Sequence, residues 1–226
     1  MPENFERPKN LTEEGHKVFS DSEIRKFVPP EFQSDPFSYF ERSGINIKKG
    51  KVKRDETGKV REDPTAVKDM VWQAEDGSQL NVVGKRVNRE KAQIAKTGNP
   101  LHEFEVLTRA AEFDLPCARP IAHAEQNGEH LLIMEKIEGF RIANSREIKT
   151  ALKDHNFSQK DIEDLKEQAT TIMDDLKKRY EAAGILRSWA LKDMVVEIDF
   201  ESKKIISLIP TDWERTKLVP PGEAEK

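Results

Sequence analysis

The chain has 226 residues, of which 36% are hydrophobic and 35% charged, and a formal charge of −4. This length suits one medium domain or two small lobes, and the acidic balance argues against a nucleic-acid partner. No apolar run reaches the roughly 20 residues of a membrane span. MPENFERPKN lacks a signal-peptide core, and Cys117 is the single cysteine, so no disulfide framework or thiolate metal site is expected. A cytoplasmic protein with no membrane partner is therefore expected. The histidines (His16, His102, His123, His130 and His155) are scattered, with no pair at ligand spacing, which argues against zinc.

In chain order, residues 1–43 mix charge, proline and aromatics and predict an extension with at most one short helix, packed through Phe27, Phe32, Phe37 and Phe40. Residues 48–68 are charge-rich and predict a solvated hairpin or mobile loop. DMVWQA and LNVVGKRV are β-rich runs around Glu75-Asp76-Gly77-Ser78, a hairpin signal. A helix follows near Pro100, with Asn99 as its cap and Pro100 at the first helical position. Two strands then meet at Asn127-Gly128, and a long helix is expected at about 158–182, stopped by Gly184. The last elements are the strands MVVEIDF and KIISLIP. The order predicts an α+β fold rather than a doubly wound sheet.

Chemistry concentrates at a few positions. Alternation in LNVVGKRV puts Lys85 on one face with Val83 and Val87. Taken alone, a strand lysine is usually solvent-exposed. Glu103 lies in the first turns of the following helix, where the dipole favours an acid in any case. LLIMEKIEG combines an apolar strand, a methionine, an acid and a glycine. One pattern occurs twice, as Ile198-Asp199-Phe200-Glu201 and Thr211-Asp212-Trp213-Glu214.

In this order the residues resemble the protein-kinase-like superfamily, including Rio-type kinases and aminoglycoside phosphotransferases. Val82-Val83-Gly84-Lys85 is similar to the strand whose lysine holds nucleotide phosphates, and Glu103 to its partner on the next helix. LLIMEKIEG resembles the hinge, with Met134 behind the adenine and the backbone of Glu135 and Ile137 at its edge. Asp212 resembles the Mg²⁺-binding aspartate. Asp199 lies too close to Asp193 for a return strand to fit between them, so it is expected near a turn.

The resemblance has breaks. The strand Met194-Val195-Val196 sets a register of the catalytic loop that puts Asp193 at the asparagine position, as a metal ligand, and Ser188 at the catalytic aspartate; a register set on Gly184-Ile185 puts Trp189 there instead, and neither supplies a carboxylate. A serine is not a general base of the kind that a carboxylate is, and Arg187 and Lys192 are expected to offer charge to a phosphate but no base at neutral pH. No Gly-x-Gly-x-x-Gly occurs between residues 45 and 74, and little chain follows Asp212.

The resemblance implies a two-lobed kinase-like fold with a truncated C-lobe: a 1–43 extension, an N-lobe at 44–137, a reduced C-lobe at 138–217 and a disordered 218–226 tail. It also implies ATP and Mg²⁺ in the inter-lobe cleft, with phosphotransferase activity in doubt at Ser188. The alternative expectation is a non-enzymatic pseudokinase scaffold that meets a protein partner through its N-terminal extension.

Overall fold

The computed structural model describes residues 17–18, 22–48, 53–54, 60–61, 65–88, 100–142, 145–213 and 216–222. The chain divides into two compact units: Met1–Phe104 with Pro120–Lys136, and Glu105–Arg119 with Ile137–Lys226. The fold is α+β, built on antiparallel sheets.

The first unit is organised by a six-stranded sheet. Its strands are β1 (Lys17–Val18), β2 (Ile45–Lys48), β5 (Thr65–Gln73), β6 (Gln79–Asn88), β7 (Pro120–Gln126) and β8 (Glu129–Glu135), in the order β1-β7-β8-β6-β5-β2. A separate short ladder joins β3 (Lys53–Arg54) to β4 (Val60–Arg61), within the segment expected as a solvated hairpin or loop. The β5–β6 turn uses Gly77 at φ 81°, and the Asp76 carboxylate accepts from the Ser78 N–H at 2.9 Å. Asn127 and Gly128, both at positive φ, close β7 onto β8.

One face of this sheet is apolar. Met70, Trp72, Val82, Ala122, Leu131 and Ile133 are buried there against Ile24, Val28, Phe32, Phe37 and Phe40. Those partners belong to α1 (Ser22–Arg25), α2 (Pro30–Ser34) and α3 (Pro36–Arg42) and the turn between α1 and α2. The expected single short helix is thus three. Proline explains the segmentation: Pro30 and Pro36 each sit at a helix start, where a missing N–H costs nothing. Asp35 caps α3 by accepting from the Ser38 N–H at 3.0 Å.

β5 also begins earlier than the charge pattern suggested. Residues 65–68, read as part of a solvated segment, are strand, and Lys68 is 7% exposed. Its ammonium donates to the Phe40 and Glu41 carbonyls, both at 2.7 Å, so it satisfies the open C-terminal end of α3. Gly84 lies beneath α3. A Cβ there would come within 2.7 Å of the Phe40 ring and 2.8 Å of Met70 Cε.

The second unit holds the three-stranded sheet β12-β11-β9, made of β9 (Phe140–Arg141), β11 (Met194–Asp199) and β12 (Lys204–Pro210). It also holds a short pair, β10 (Ile185–Leu186) with β13 (Lys217–Leu218). The chain passes from the first unit to the second within α4 (Pro100–Glu112), whose expected cap, Asn99, lies outside the described residues. Two further helices are α5 (Ser145–Asp154) and α6 (Gln159–Ala182). The sequence reading had no helix at α5, which is mostly polar and rests on few apolar residues, Leu152 among them at 6% exposure. α6 opens with a capping box between Ser158 and Asp161 and gives way at Gly184, φ 74°. The start of the expected disordered tail is ordered. Leu218 pairs with Ile185, and the Val219 N–H donates to the Gly184 carbonyl at 2.9 Å.

Asp161 does more than cap. It accepts from Lys203 Nζ at 2.7 Å, which ties the start of α6 to the β11–β12 turn. Lys203 first, then Ser158, hold the Asp161 carboxyl down at about 2 against an ordinary 3.8. A carboxyl lowered on folding stabilises above its unfolded value and loses that contribution as pH falls through the folded one. Stability is therefore expected to fall between about pH 4 and pH 2, and Asp161→Asn to flatten part of that fall in urea titrations across the range. Gly84→Ala is expected to destabilise by about 1–3 kcal/mol through overpacking under Phe40, read by the same titration at neutral pH.

Candidate functional site

The pleat of β6 decides where Lys85 points. Lys85 pairs with Val67 and Leu132, and Val83 with Asp69 and Met134, so these residues share the sheet face opposite α1–α3. Lys85 Nζ meets Glu103 Oε2 at 2.6 Å, with the two side chains 18% and 7% exposed. The lysine expected as either surface or cleft is therefore largely buried in an ion pair. Glu103 comes from the first turn of α4, and the adjacent Phe104 packs on His123 with ring centres 6.0 Å apart.

Met134 is half-buried on the Lys85 face, and Glu135, opposite Val82, falls on the other. The sheet ladder runs one residue further, with the Lys136 N–H donating to the Asn81 carbonyl at 2.9 Å. At Ile137 the chain re-enters the second unit. Ile45 and Val71 continue the Lys85 face as apolar surface, 75% and 57% exposed.

The histidines are not all scattered. His123 Nε2 and His130 Nδ1 lie 3.2 Å apart, both buried, across β7 and β8. Their separation in sequence follows from a tight hairpin rather than from helical ligand spacing. Among the described residues no group of three or more metal-binding side chains occurs, and no helix is long and apolar enough to cross a membrane.

The other candidates lie in the second unit. Asp193 ends the 3₁₀ turn Leu191–Asp193 just before β11, and Asp212 follows β12. The β11–β12 register brings them together by pairing Met194 with Pro210. Thr211 completes the link: its N–H and hydroxyl donate to the Asp193 carbonyl at 2.8 and 3.0 Å. Asp212 is exposed and adopts φ 63°, a left-handed conformation that aspartate tolerates better than most residues. Ser188, the residue expected at the catalytic aspartate position, is exposed.

The sequence offers Arg187 only as a cation for phosphate charge and does not show how it sits beside these aspartates. Arg187 lies over the rings of Trp213 and Trp189, 4.6 and 5.3 Å from their centres, and its Nη2 donates to the Thr211 carbonyl at 2.8 Å. Tyr180 packs on both tryptophans, and burial pushes its phenol pKa up. Burial pulls Arg187 down from the ordinary arginine value, while Tyr180, Asp193 and Asp212 act the other way. The available signal was aromatic: Trp189 and Trp213 flank the two loops in sequence.

Two carboxylates on adjoining loops fit Mg²⁺, which commonly takes one or two protein carboxylates together with water and phosphate oxygens. A partly exposed ammonium, held on a strand by Glu103, is a group of the kind that meets a phosphate.

The Lys85–Glu103 pair is testable on its own. Lys85→Met is expected to cost about 3 kcal/mol, because Glu103 stays buried with its partner gone. Adding Glu103→Leu should restore much of that loss in denaturant titrations. A double variant no more stable than Lys85→Met would contradict the coupling.

No protein-family model matches the chain, and the search of curated proteins found no match. Among solved structures it is similar to the bifunctional kinase-methyltransferase WbdD, at 18% identity and a TM-score of 0.40. The similarity covers 67% of this chain and 30% of that one, so the chain spans less than a third of that protein's length.

Proposed function

We propose that the chain is a kinase-like domain that binds ATP with Mg²⁺. The observation that carries this reading is the 2.6 Å Lys85–Glu103 pair on the partly apolar sheet face. Lys85 would hold nucleotide phosphates, with Glu103 fixing the direction of its ammonium. Val83, Met134 and the exposed Ile45 offer apolar surface to a planar base, and the backbone of Glu135 and Ile137 would meet its edge. Asp193 and Asp212 would ligate Mg²⁺, which neutralises phosphate charge when bound.

Ser188 favours a second reading, in which the fold serves as a scaffold or binding module without ordinary phosphoryl transfer. A serine hydroxyl does not accept the acceptor's proton as a carboxylate does. The two readings part at nucleotide binding, since a pure scaffold has no reason to bind ATP.

Millimolar ATP with Mg²⁺ is expected to raise the melting temperature of the wild-type chain, since a ligand that binds only the folded state stabilises it. Lys85→Ala and Asp212→Ala should abolish the rise. A wild-type chain that shows no shift at that concentration would remove the nucleotide reading and leave the scaffold.

A further inference from the structure

Arg187 makes more contacts than a loop arginine needs. Its guanidinium packs on Trp213, the residue after Asp212, and bonds the carbonyl of Thr211, the residue before it. Thr211 in turn binds the Asp193 carbonyl through both its N–H and its hydroxyl. One planar cation thus grips Asp212 from both sides along the chain, and the same segment is fastened to Asp193. The gripped residue has a left-handed φ of 63°. Such a conformation persists where the surroundings over-determine it.

We infer that Arg187 is a positioning residue, holding the Thr211–Trp213 turn so that the Asp212 carboxylate stands with Asp193 as one divalent-cation site. The inference rests on the Mg²⁺-nucleotide reading of those two aspartates and adds the group that keeps them in register. Tyr180 braces the device from behind, stacked on Trp213 with ring centres 5.5 Å apart and edge-on to Trp189 at 5.3 Å. Lysine cannot replace Arg187, because the role needs a flat cation that stacks and donates at once. The electrostatic influence of Asp193 and Asp212 on Arg187 agrees with their closeness. A cation this near a metal site would oppose the metal if charge alone mattered, so positioning and charge predict opposite signs.

The test uses the full chain and Mn²⁺ alone, with free Mn²⁺ read by electron paramagnetic resonance and the apo melting temperature recorded alongside. Arg187→Lys and Arg187→Met are both expected to weaken Mn²⁺ binding by about tenfold, the lower end for loss of a group that orients a metal ligand. Trp213→Phe, which keeps an aromatic face under the arginine, should weaken it less and guards against an Arg187 variant that does not fold. Wild-type affinity in Arg187→Lys, or tighter binding in Arg187→Met, would mean that only charge matters and would overturn the inference. Lower melting temperatures with unchanged Mn²⁺ affinity would overturn it too, as would a wild-type chain that binds no Mn²⁺. Titration with ATP separates the two readings. Mn²⁺ binding weakened by the variants, in a chain that does not respond to ATP, would refute the nucleotide reading and leave the role of Arg187 standing.

Discussion

The Lys85–Glu103 pair is the constraint around which the first unit is arranged. Taking an ammonium and a carboxylate out of water costs several kcal/mol each, and their attraction repays that only in good geometry. The geometry here has two sources. β6 must be in register with β5 and β8 for Lys85 to face the α4 side, and α4 must present Glu103 from its first turn. A slip of one residue in β6 would turn Lys85 to the α1–α3 face, into the aromatic core. The pair is therefore weak evidence of stability, and it places a demand on register that a hydrophobic pair filling the same space would not.

The opposite face meets the same problem with another cation. Lys68 is buried too, and its partners are backbone carbonyls at the end of α3 rather than a carboxylate. Its neighbour across the ladder is Gly84, and the missing side chain there lets Phe40 and Met70 close over the sheet. Arg86, two residues along β6, pairs with both Glu41 and Glu129. One strand thus carries three consecutive residues with distinct tasks: Gly84 admits the helices, Lys85 pairs inward to α4, and Arg86 ties the rim. The alternation of β structure makes the separation possible.

Local chemistry was legible in the sequence wherever one residue type dictates a backbone shape. Asp76-Gly77, Asn127-Gly128, Pro100, Ser158 with Asp161, and Gly184 all mark real boundaries, because turn and cap preferences act within a few residues. Composition was a poorer guide. The charge that runs from Lys48 to Asp63 drew Thr65–Lys68 into the same solvated reading and hid the start of a strand whose lysine is buried, and the polarity of α5 hid a helix. Three short helices were read as at most one because each is only 4 to 7 residues long, too short for a hydrophobic period to develop. Of the candidate site, the lysine–glutamate pair could be foreseen. The Arg187 cluster shows in the sequence only as Trp189 and Trp213 beside two loops, because stacking of a cation on two rings depends on how those loops return.

The doubled Asp-aromatic-Glu pattern shows how far sequence alone reaches. Read as letters, Asp199 and Asp212 are equivalent, and only the room needed for a return strand separates them. The backbone supplies the physical difference. The Asp199 carboxylate is occupied by its own turn: it accepts from the Glu201 and Ser202 N–H groups and from the Ser202 hydroxyl. Ser202 first among these holds its pKa below the ordinary value. Among the described residues no hydrogen bond reaches the Asp212 carboxylate, while its neighbours on both sides are fixed by Arg187. A carboxylate that closes a turn has spent its lone pairs on the fold. One that is exposed, with its backbone held by others, leaves them open to solvent.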